Sequence, residues 1–112
     1  MKKVILVICL LLIFFNFYIS SIAQSSDGLQ LVSSRSTSDS YFRYVTGTVR
    51  NTGSQTYNIV TITFNLYDSS GSIVGNAVDT IQNFRPGAKW KFKAMITEES
   101  VVKYEFDSLS GY

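Results

Sequence analysis

The sequence contains no histidine, and its only cysteine, Cys9, lies near the amino terminus. The lack of histidine and of a second cysteine excludes Ser–His and Cys–His nucleophiles, zinc held by imidazole, and any disulfide within the chain. Two carboxylates can still act as an acid–base pair, but Glu98 and Glu99 are adjacent and indicate a solvated turn. We therefore expect no enzyme activity and no cofactor.

An excess of charge of one sign is also lacking. The chain has 10 basic and 8 acidic residues, and two of the basic ones, Lys2 and Lys3, belong to an amino-terminal segment that differs in kind from the rest. Without them eight residues of each sign remain. A balanced chain gives no general electrostatic reason to expect nucleic acid or an anionic membrane as a partner.

The amino-terminal segment has the organisation of an export signal. Lys2 and Lys3 precede an uninterrupted apolar run over residues 4–15, which is shorter than the roughly 20 residues of a relaxed membrane-spanning helix. Small residues at Ser21 and Ala23 suit signal peptidase, which requires them three positions and one position before the cut.

This pattern predicts a signal peptide over residues 1–23, cleaved between Ala23 and Gln24. The protein is then exported, and we expect it to be secreted, periplasmic or associated with the cell envelope. Residues 24–28 are expected to be a flexible lead-in and residues 29–112 to form one domain. The alternative is an uncleaved anchor, the only form in which we expect contact with a membrane.

The rest of the chain is patterned as β-strands. Apolar residues alternate with polar ones, and β-branched and aromatic types dominate, which is typical of half-buried strands. The predicted strands are residues 29–34, 41–50, 57–67, 73–78, 89–96 and 101–106. The predicted inward faces are Val45, Gly47 and Val49; Val60, Ile62, Phe64 and Leu66; Trp90, Phe92, Ala94 and Ile96; and Val102, Tyr104 and Phe106.

Turn residues separate these strands at regular intervals. Residues 51–54, Asn-Thr-Gly-Ser, follow the second strand, and residues 68–71, Asp-Ser-Ser-Gly, suit a tight hairpin. Residues 85–87, Arg-Pro-Gly, suit a type II turn with glycine in the left-handed position. Residues 33–40 are predicted to be a polar loop. About six or seven short strands of this kind predict an all-β, two-sheet antiparallel sandwich.

Three blocks of sequence carry a resemblance to a known family. Residues 64–68 read Phe-Asn-Leu-Tyr-Asp, preceded by Val-Thr-Gly-Thr-Val-Arg-Asn-Thr-Gly at 45–53 and followed by Phe-Arg-Pro-Gly at 84–87 and by Phe92. Their order and spacing over about residues 29–106 resemble the FxLYD domain family. The resemblance implies an immunoglobulin-like sandwich of exported and surface proteins of bacteria and archaea.

The resemblance also implies that the motif residues are structural. Phe64 and Leu66 would fill the core, Asp68 and Gly71 would make the hairpin turn, and Tyr67 would cover an edge of the sandwich. The full set of motif residues is Gly47, Asn51, Gly53, Phe64, Leu66, Tyr67, Asp68, Gly71, Pro86, Gly87 and Phe92.

Two groups of residues are candidates for a binding surface. Strand alternation puts Lys89, Lys91 and Lys93 on one face, either as a solvated face that discourages edge-to-edge aggregation or as a docking stripe for an anionic polymer; the first reading is favoured. The second group is Tyr41, Phe42 and Tyr44. These aromatics could stack on sugars or anchor a protein partner, or pack under the polar loop.

A calcium site is the remaining metal possibility, because oxygen ligands would suffice. Asp68 with its neighbouring serines, joined by Asp39 or Asp107, could form part of one, but a single carboxylate in a tight hairpin is more typical of a turn. We expect no metal. The expected function is a non-catalytic structural or protein-interaction module with an unknown envelope protein as partner. The alternative is a carbohydrate- or cell-wall-polymer-binding module.

Overall fold

The computed structural model describes residues 28–112, and within them every regular element is a β-strand. The predicted signal peptide, its cleavage site at Ala23 and Gln24, and residues 24–27 of the lead-in lie outside the described residues. The six strands are β1 (Leu29–Ser38), β2 (Arg43–Asn51), β3 (Tyr57–Tyr67), β4 (Ile73–Phe84), β5 (Lys89–Ile96) and β6 (Lys103–Gly111). No helix able to cross a bilayer occurs over residues 28–112.

The strands form two three-stranded antiparallel sheets that pack face to face. Sheet A has the order β1-β2-β5, and sheet B has the order β4-β3-β6. The prediction of an all-β two-sheet sandwich is thereby confirmed. Strands β4 and β5 lie beside each other at one edge of the sandwich, where the Lys93 backbone N–H donates a 2.8 Å hydrogen bond to Oδ2 of Asp79.

The core lies between the sheets and follows the predicted alternation in β2, β3 and β5. Phe64 is at its centre, fully buried. Its ring centroid lies 5.6 Å from that of Phe92, 5.7 Å from that of Tyr104 and 6.0 Å from that of Phe106. These are the offset-stacked and edge-to-face separations that aromatic pairs prefer. Burial of large apolar side chains from both sheets is therefore what holds the sandwich together.

Two of the predicted turns have the expected backbone geometry. In the connection from β4 to β5, the Ala88 N–H donates to the Arg85 carbonyl oxygen at 3.1 Å, and Gly87 has φ +79°. Proline at the second position and a left-handed third residue define a type II turn. In the hairpin from β3 to β4, Gly71 has φ +84°.

Gly47 allows β1 and β5 to approach the middle of β2. A Cβ atom there would overlap the carbonyl oxygen of Ser33 and lie 2.8 Å from Cζ of Phe92. One obstruction is backbone, so a side chain can be accommodated only if β1 moves away from β2. The phenyl ring of Phe92 takes the place that a side chain at position 47 would fill.

Gly47→Ala is expected to lower the free energy of unfolding by about 1–3 kcal/mol, the usual range for an overpacked core. Denaturant unfolding measures this loss. Gly75→Ala is the matched control, because the nearest atom to a Cβ there is Cγ of the flexible Glu98 side chain, at 3.3 Å. An equal loss in the two variants would show that strand glycines are replaceable to the same degree and that the close approach at Gly47 has no energetic weight.

The predicted polar loop over residues 33–40 is wrong for residues 33–38. Strand β1 continues to Ser38, and its serines and threonines pair with β2 from Ser33 opposite Thr48 to Ser38 opposite Arg43. Small polar residues are typical of loops, but here they occupy an edge strand whose partner supplies the backbone hydrogen bonds. The connection to β2 is therefore only residues 39–42, and β2 begins at Arg43 rather than at residue 41.

The predicted face of the last strand is wrong at its start. Val101 is buried and Val102 is 68% exposed, because residues 101 and 102 precede β6 and do not share its alternation. The strand also runs beyond the predicted end at residue 106. An irregularity opposite Thr63 and Phe64 shifts the register, so that Leu109 faces the core. Strand β4 likewise continues past the predicted residue 78 to Phe84.

Candidate binding surfaces

Sheet A collects most of the positive charge of the described chain. Its three strands carry six basic residues and no acidic one. The basic residues are Arg35, Arg43, Arg50, Lys89, Lys91 and Lys93. Acidic residues lie instead in sheet B and in the connections. The near-neutral net charge of this region therefore conceals a segregation of charge between the two sides of the sandwich.

Five of these six cations point away from the core. Lys89 lies opposite Arg50, Lys91 opposite Thr48, and Lys93 opposite Thr46 in the β2–β5 pairing. On the other side of β2, Arg35 lies opposite Thr46 and Ser33 opposite Thr48. We call this outer surface of sheet A the cationic face. It consists of Ser33, Arg35, Thr46, Thr48, Arg50, Lys89, Lys91 and Lys93.

The cationic face is grooved rather than flat. Two open grooves of about 680 and 850 Å³ cross it, and both are bordered by Thr48 and Lys91. The outward side chains in the middle of β2 are threonines, whereas Arg35 stands on β1 and three lysines stand on β5. An extended ligand could therefore lie over short hydroxyl-bearing side chains with cations on either side.

Arg43, the sixth cation, has a structural role. Its guanidinium donates hydrogen bonds to the carbonyl oxygens of Val101 at 2.7 Å, Glu98 at 3.0 Å and Glu99 at 3.3 Å. Three bonds to one connection fix the β5–β6 loop against the start of β2. This role of Arg43 was not predictable, because nothing in its neighbourhood along the chain indicates these partners.

Tyr44 is not the exposed aromatic that the sequence suggested. The side chain is only 9% exposed, and Nζ of Lys93 lies 4.1 Å from the centroid of its ring. Loss of solvation, together with the nearby Asp39 carboxylate, raises the pKa of the Tyr44 hydroxyl. The Tyr44 ring therefore packs beneath the ammonium group of Lys93, and this cation–π contact leaves Lys93 less available to a ligand.

Tyr41 and Phe42 are exposed at the end of the β1–β2 hairpin. Tyr41 is 88% exposed and Phe42 is 50% exposed. Their backbone N–H groups donate to Oδ1 of Asp39 at 2.9 and 2.8 Å, and the Asp39 N–H donates to the Phe42 carbonyl oxygen at 2.9 Å. We call residues 39–42 the aromatic hairpin. Its backbone is held by the Asp39 side chain while its rings face solvent.

The hydrogen bonds of the aromatic hairpin also affect ionisation. Donation from the backbone N–H groups of Tyr41 and Phe42 holds the pKa of Asp39 below its ordinary value. The carboxylate therefore stays charged through the neutral pH range and continues to accept the two hydrogen bonds that hold the hairpin backbone. Exposed apolar side chains of Met95, opposite Tyr44, and of Val102, in the connection held by Arg43, lie at the same end of the sandwich.

Asn51 is a fully buried polar side chain at the opposite end of β2. Its Nδ2 donates to the carbonyl oxygens of Gln55 at 2.8 Å and Phe84 at 3.1 Å, and its Oδ1 accepts from the Gly53 N–H at 3.1 Å. One amide thereby joins the end of β2, the connection that follows it and the end of β4. Its polar atoms are therefore used within the fold and are not exposed to solvent.

The Asp68 carboxylate stabilises the hairpin between β3 and β4. Its Oδ1 accepts from the Ser70 hydroxyl at 2.6 Å, the Ser70 N–H at 2.9 Å and the Ser72 N–H at 3.1 Å. These bonds, that of the Ser70 hydroxyl first, hold the pKa of Asp68 below its ordinary value. Over residues 28–112, no three acidic, histidine or cysteine side chains gather into a group that could hold a metal ion.

Asp68→Asn is expected to lower the melting temperature at pH 7 and to have no effect near pH 2. Because the folded-state pKa of Asp68 is lowered, the stabilisation is fully present above the unfolded value of about 3.9 and is lost as the pH falls through the folded value. Thermal unfolding across this range measures the difference. A difference that persists unchanged at pH 2 would mean that the charge of Asp68 does not contribute.

The residues singled out from the sequence thus divide between two surfaces. Lys89 and Lys91 belong to the open part of the cationic face, and Tyr41 and Phe42 form the aromatic hairpin, whereas Tyr44 and Lys93 contact each other between the two. Comparison of this chain with family models, with curated proteins and with solved structures finds no match.

Proposed function

We propose that this chain is an exported, non-catalytic module of the FxLYD type with an immunoglobulin-like fold, and that it binds a partner protein at the cell envelope or outside the cell. The strand order supports the fold assignment. In immunoglobulin domains the second strand neighbours the fifth in one sheet, and the third neighbours the sixth in the other. Here β2 neighbours β5 and β3 neighbours β6.

The aromatic hairpin is the observation that carries the proposed binding function. Tyrosine and other large aromatics are enriched among the residues that dominate protein–protein binding energies. Such residues contribute most when they are already ordered, because less conformational entropy is lost on binding. Tyr41 and Phe42 combine high exposure with a backbone braced by Asp39, and neither ring is needed to fill the core.

The test is capture of partner protein from an envelope extract by the purified chain. The Tyr41→Ala/Phe42→Ala double variant should bind at least about 30-fold more weakly than wild type, as expected for the loss of an interface hot spot. Val78→Ala/Tyr112→Ala removes comparable exposed apolar surface elsewhere and should leave capture unchanged. Equal binding by all three proteins, or an equal loss in both variants, would contradict the proposed role of the aromatic hairpin.

A further inference from the structure

We propose that the cationic face is a second binding site and that its ligand is an anionic polysaccharide. The inference rests on the charges and register of sheet A and does not depend on the proposed protein-binding role of the aromatic hairpin. The two surfaces are formed by different residues, and each can be altered without changing the other.

No cation of this face forms a salt bridge within the described residues, although Lys93 interacts at longer range with the Asp39 carboxylate. In the part of the chain that the structure describes, the one salt bridge joins Lys103 to Glu105 in sheet B, at 3.8 Å. Lys89 and Arg50 lie directly opposite each other in the β2–β5 pairing, an arrangement of like charges that destabilises a sheet. An anionic ligand would neutralise this repulsion, so the arrangement favours binding over stability of the free protein.

Protection of the sheet edge does not account for these lysines. An exposed edge strand is a site of aggregation, and charged side chains are one means of blocking it. The edge of β5 is already covered, because β4 lies beside it and the Asp79 carboxylate accepts the Lys93 backbone N–H. Lys89 and Lys91 are therefore available for another role.

The dimensions of the face suit an extended polymer. Outward side chains of one strand are about 6.6–7 Å apart, and the three strands place β1 and β5 about 10 Å from each other. Arg35 on β1 and the lysines on β5 thus border a strip floored by Thr46 and Thr48. Threonine and serine hydroxyls both donate and accept hydrogen bonds, as sugar hydroxyls require.

A polysaccharide suits this surface better than a protein or a nucleic acid does. Protein interfaces depend on apolar or aromatic anchors at their centre, and single-stranded nucleic acids stack their bases on exposed aromatic rings. Neither type of group is exposed over the threonines at the centre of the cationic face. Phe92 lines the first groove but is only 1% exposed, and the exposed Val32 borders the second groove from the β1 side. Charge and hydroxyl groups are what remain for recognition.

Dextran sulfate is the probe, with neutral dextran of the same length and oligo(dT) as comparisons, in a solution binding assay of the purified chain. Wild type should bind dextran sulfate but not dextran, and oligo(dT) more weakly. If Arg35, Arg50, Lys89 and Lys91 each neutralise one charge, the affinity should fall about 50-fold between 50 and 200 mM salt, by analogy with flexible nucleic-acid strands.

Two charge reversals form a matched pair. Lys91→Glu, at the centre of the cationic face, should weaken binding about 30-fold, because one favourable contact is replaced by a repulsive one. Lys103→Glu changes the net charge equally but lies in sheet B, and should change binding less than about twofold. Lys91→Gln, which introduces no new charge, should lower the affinity about fivefold. It serves as the test variant if Lys91→Glu impairs folding.

The proposal would be overturned if wild type failed to bind dextran sulfate at 50 mM salt, or if Lys91→Glu and Lys103→Glu lost the same amount of affinity. It would also be overturned if wild type bound neutral dextran as well as dextran sulfate, or bound oligo(dT) more tightly than dextran sulfate. The Tyr41→Ala/Phe42→Ala variant should bind dextran sulfate as wild type does. Failure of the hairpin in protein capture therefore leaves this inference standing, and failure here leaves the hairpin result standing.

Discussion

Phe64→Ala is expected to lower the free energy of unfolding by about 3–5 kcal/mol, the range for deletion of a fully buried phenyl ring. The ring contacts Phe92 of sheet A and Tyr104 and Phe106 of sheet B. Its removal leaves a cavity between the two sheets, which cannot close because both faces are fixed by backbone pairing. Small domains have a total stability of about 5–15 kcal/mol, so the variant should be only marginally folded.

Denaturant unfolding followed by tryptophan fluorescence measures this loss, since Trp90 packs edge-on at 6.0 Å from Phe92 in the same core. Phe42→Ala is the matched control, because it deletes the same ring from the exposed aromatic hairpin and should cost less than about 1 kcal/mol. A loss below about 1 kcal/mol for Phe64→Ala would mean that the inward face of β3 is assigned incorrectly.

Asn51→Asp is the second substitution with a large expected effect, again about 3–5 kcal/mol at neutral pH. The side chain keeps its shape but loses both N–H donors, so the carbonyl oxygens of Gln55 and Phe84 lose their partner. The loss costs about 1–3 kcal/mol for a buried group such as the Phe84 oxygen, and less for the part-buried Gln55 oxygen. The new carboxylate would also be buried against these two oxygens without a cation, which adds a further penalty.

The loss in Asn51→Asp should depend on pH in a defined direction. Burial disfavours the charged form and raises the pKa of the introduced carboxyl. Its penalty is therefore smallest when it is protonated and grows as the pH rises through that value. Asn58→Asp, the same change at an exposed position, should have little effect at any pH. Equal stability of the two variants at pH 7 would contradict the role assigned to Asn51.

Regular strands were predictable because their alternation is uninterrupted. In β5, and in β3 from Val60 to Leu66, every second residue is apolar and each of these residues is buried, so period-two patterning alone identifies the inward face. The turn at residues 85–88 was predictable for a similar local reason, since Pro-Gly specifies its own backbone angles. Local chemistry decides these elements, and no distant partner is needed to recognise them.

The errors arose where a distant partner decides the outcome. The serines of β1 are strand residues only because β2 pairs with them, and the register shift in β6 is set by its neighbour β3. The bulge interrupts the alternation, so the sequence pattern misses the inward turn of Leu109. It misses the exposure of Val102 because that residue precedes β6. Neither feature has a signal within its own segment.

The binding surfaces were only partly predictable. The lysines of β5 could be placed on one face from their spacing, but Arg35 and Arg50 join them only through the order of the strands in sheet A. Likewise, Tyr41 and Phe42 are exposed as a candidate surface requires, whereas Tyr44 is covered by a lysine about fifty residues away in sequence. Assembly of the sheets, rather than composition, creates the segregation of charge.

The most direct test of a module with two separate binding surfaces is a crossed comparison of two variants. Tyr41→Ala/Phe42→Ala and Lys91→Glu are each measured for protein capture from envelope extract and for binding to dextran sulfate. If the surfaces are separate, the first variant should lose only protein capture and the second should lose only binding to dextran sulfate. Loss of both activities in either variant would show that the two surfaces are not separate.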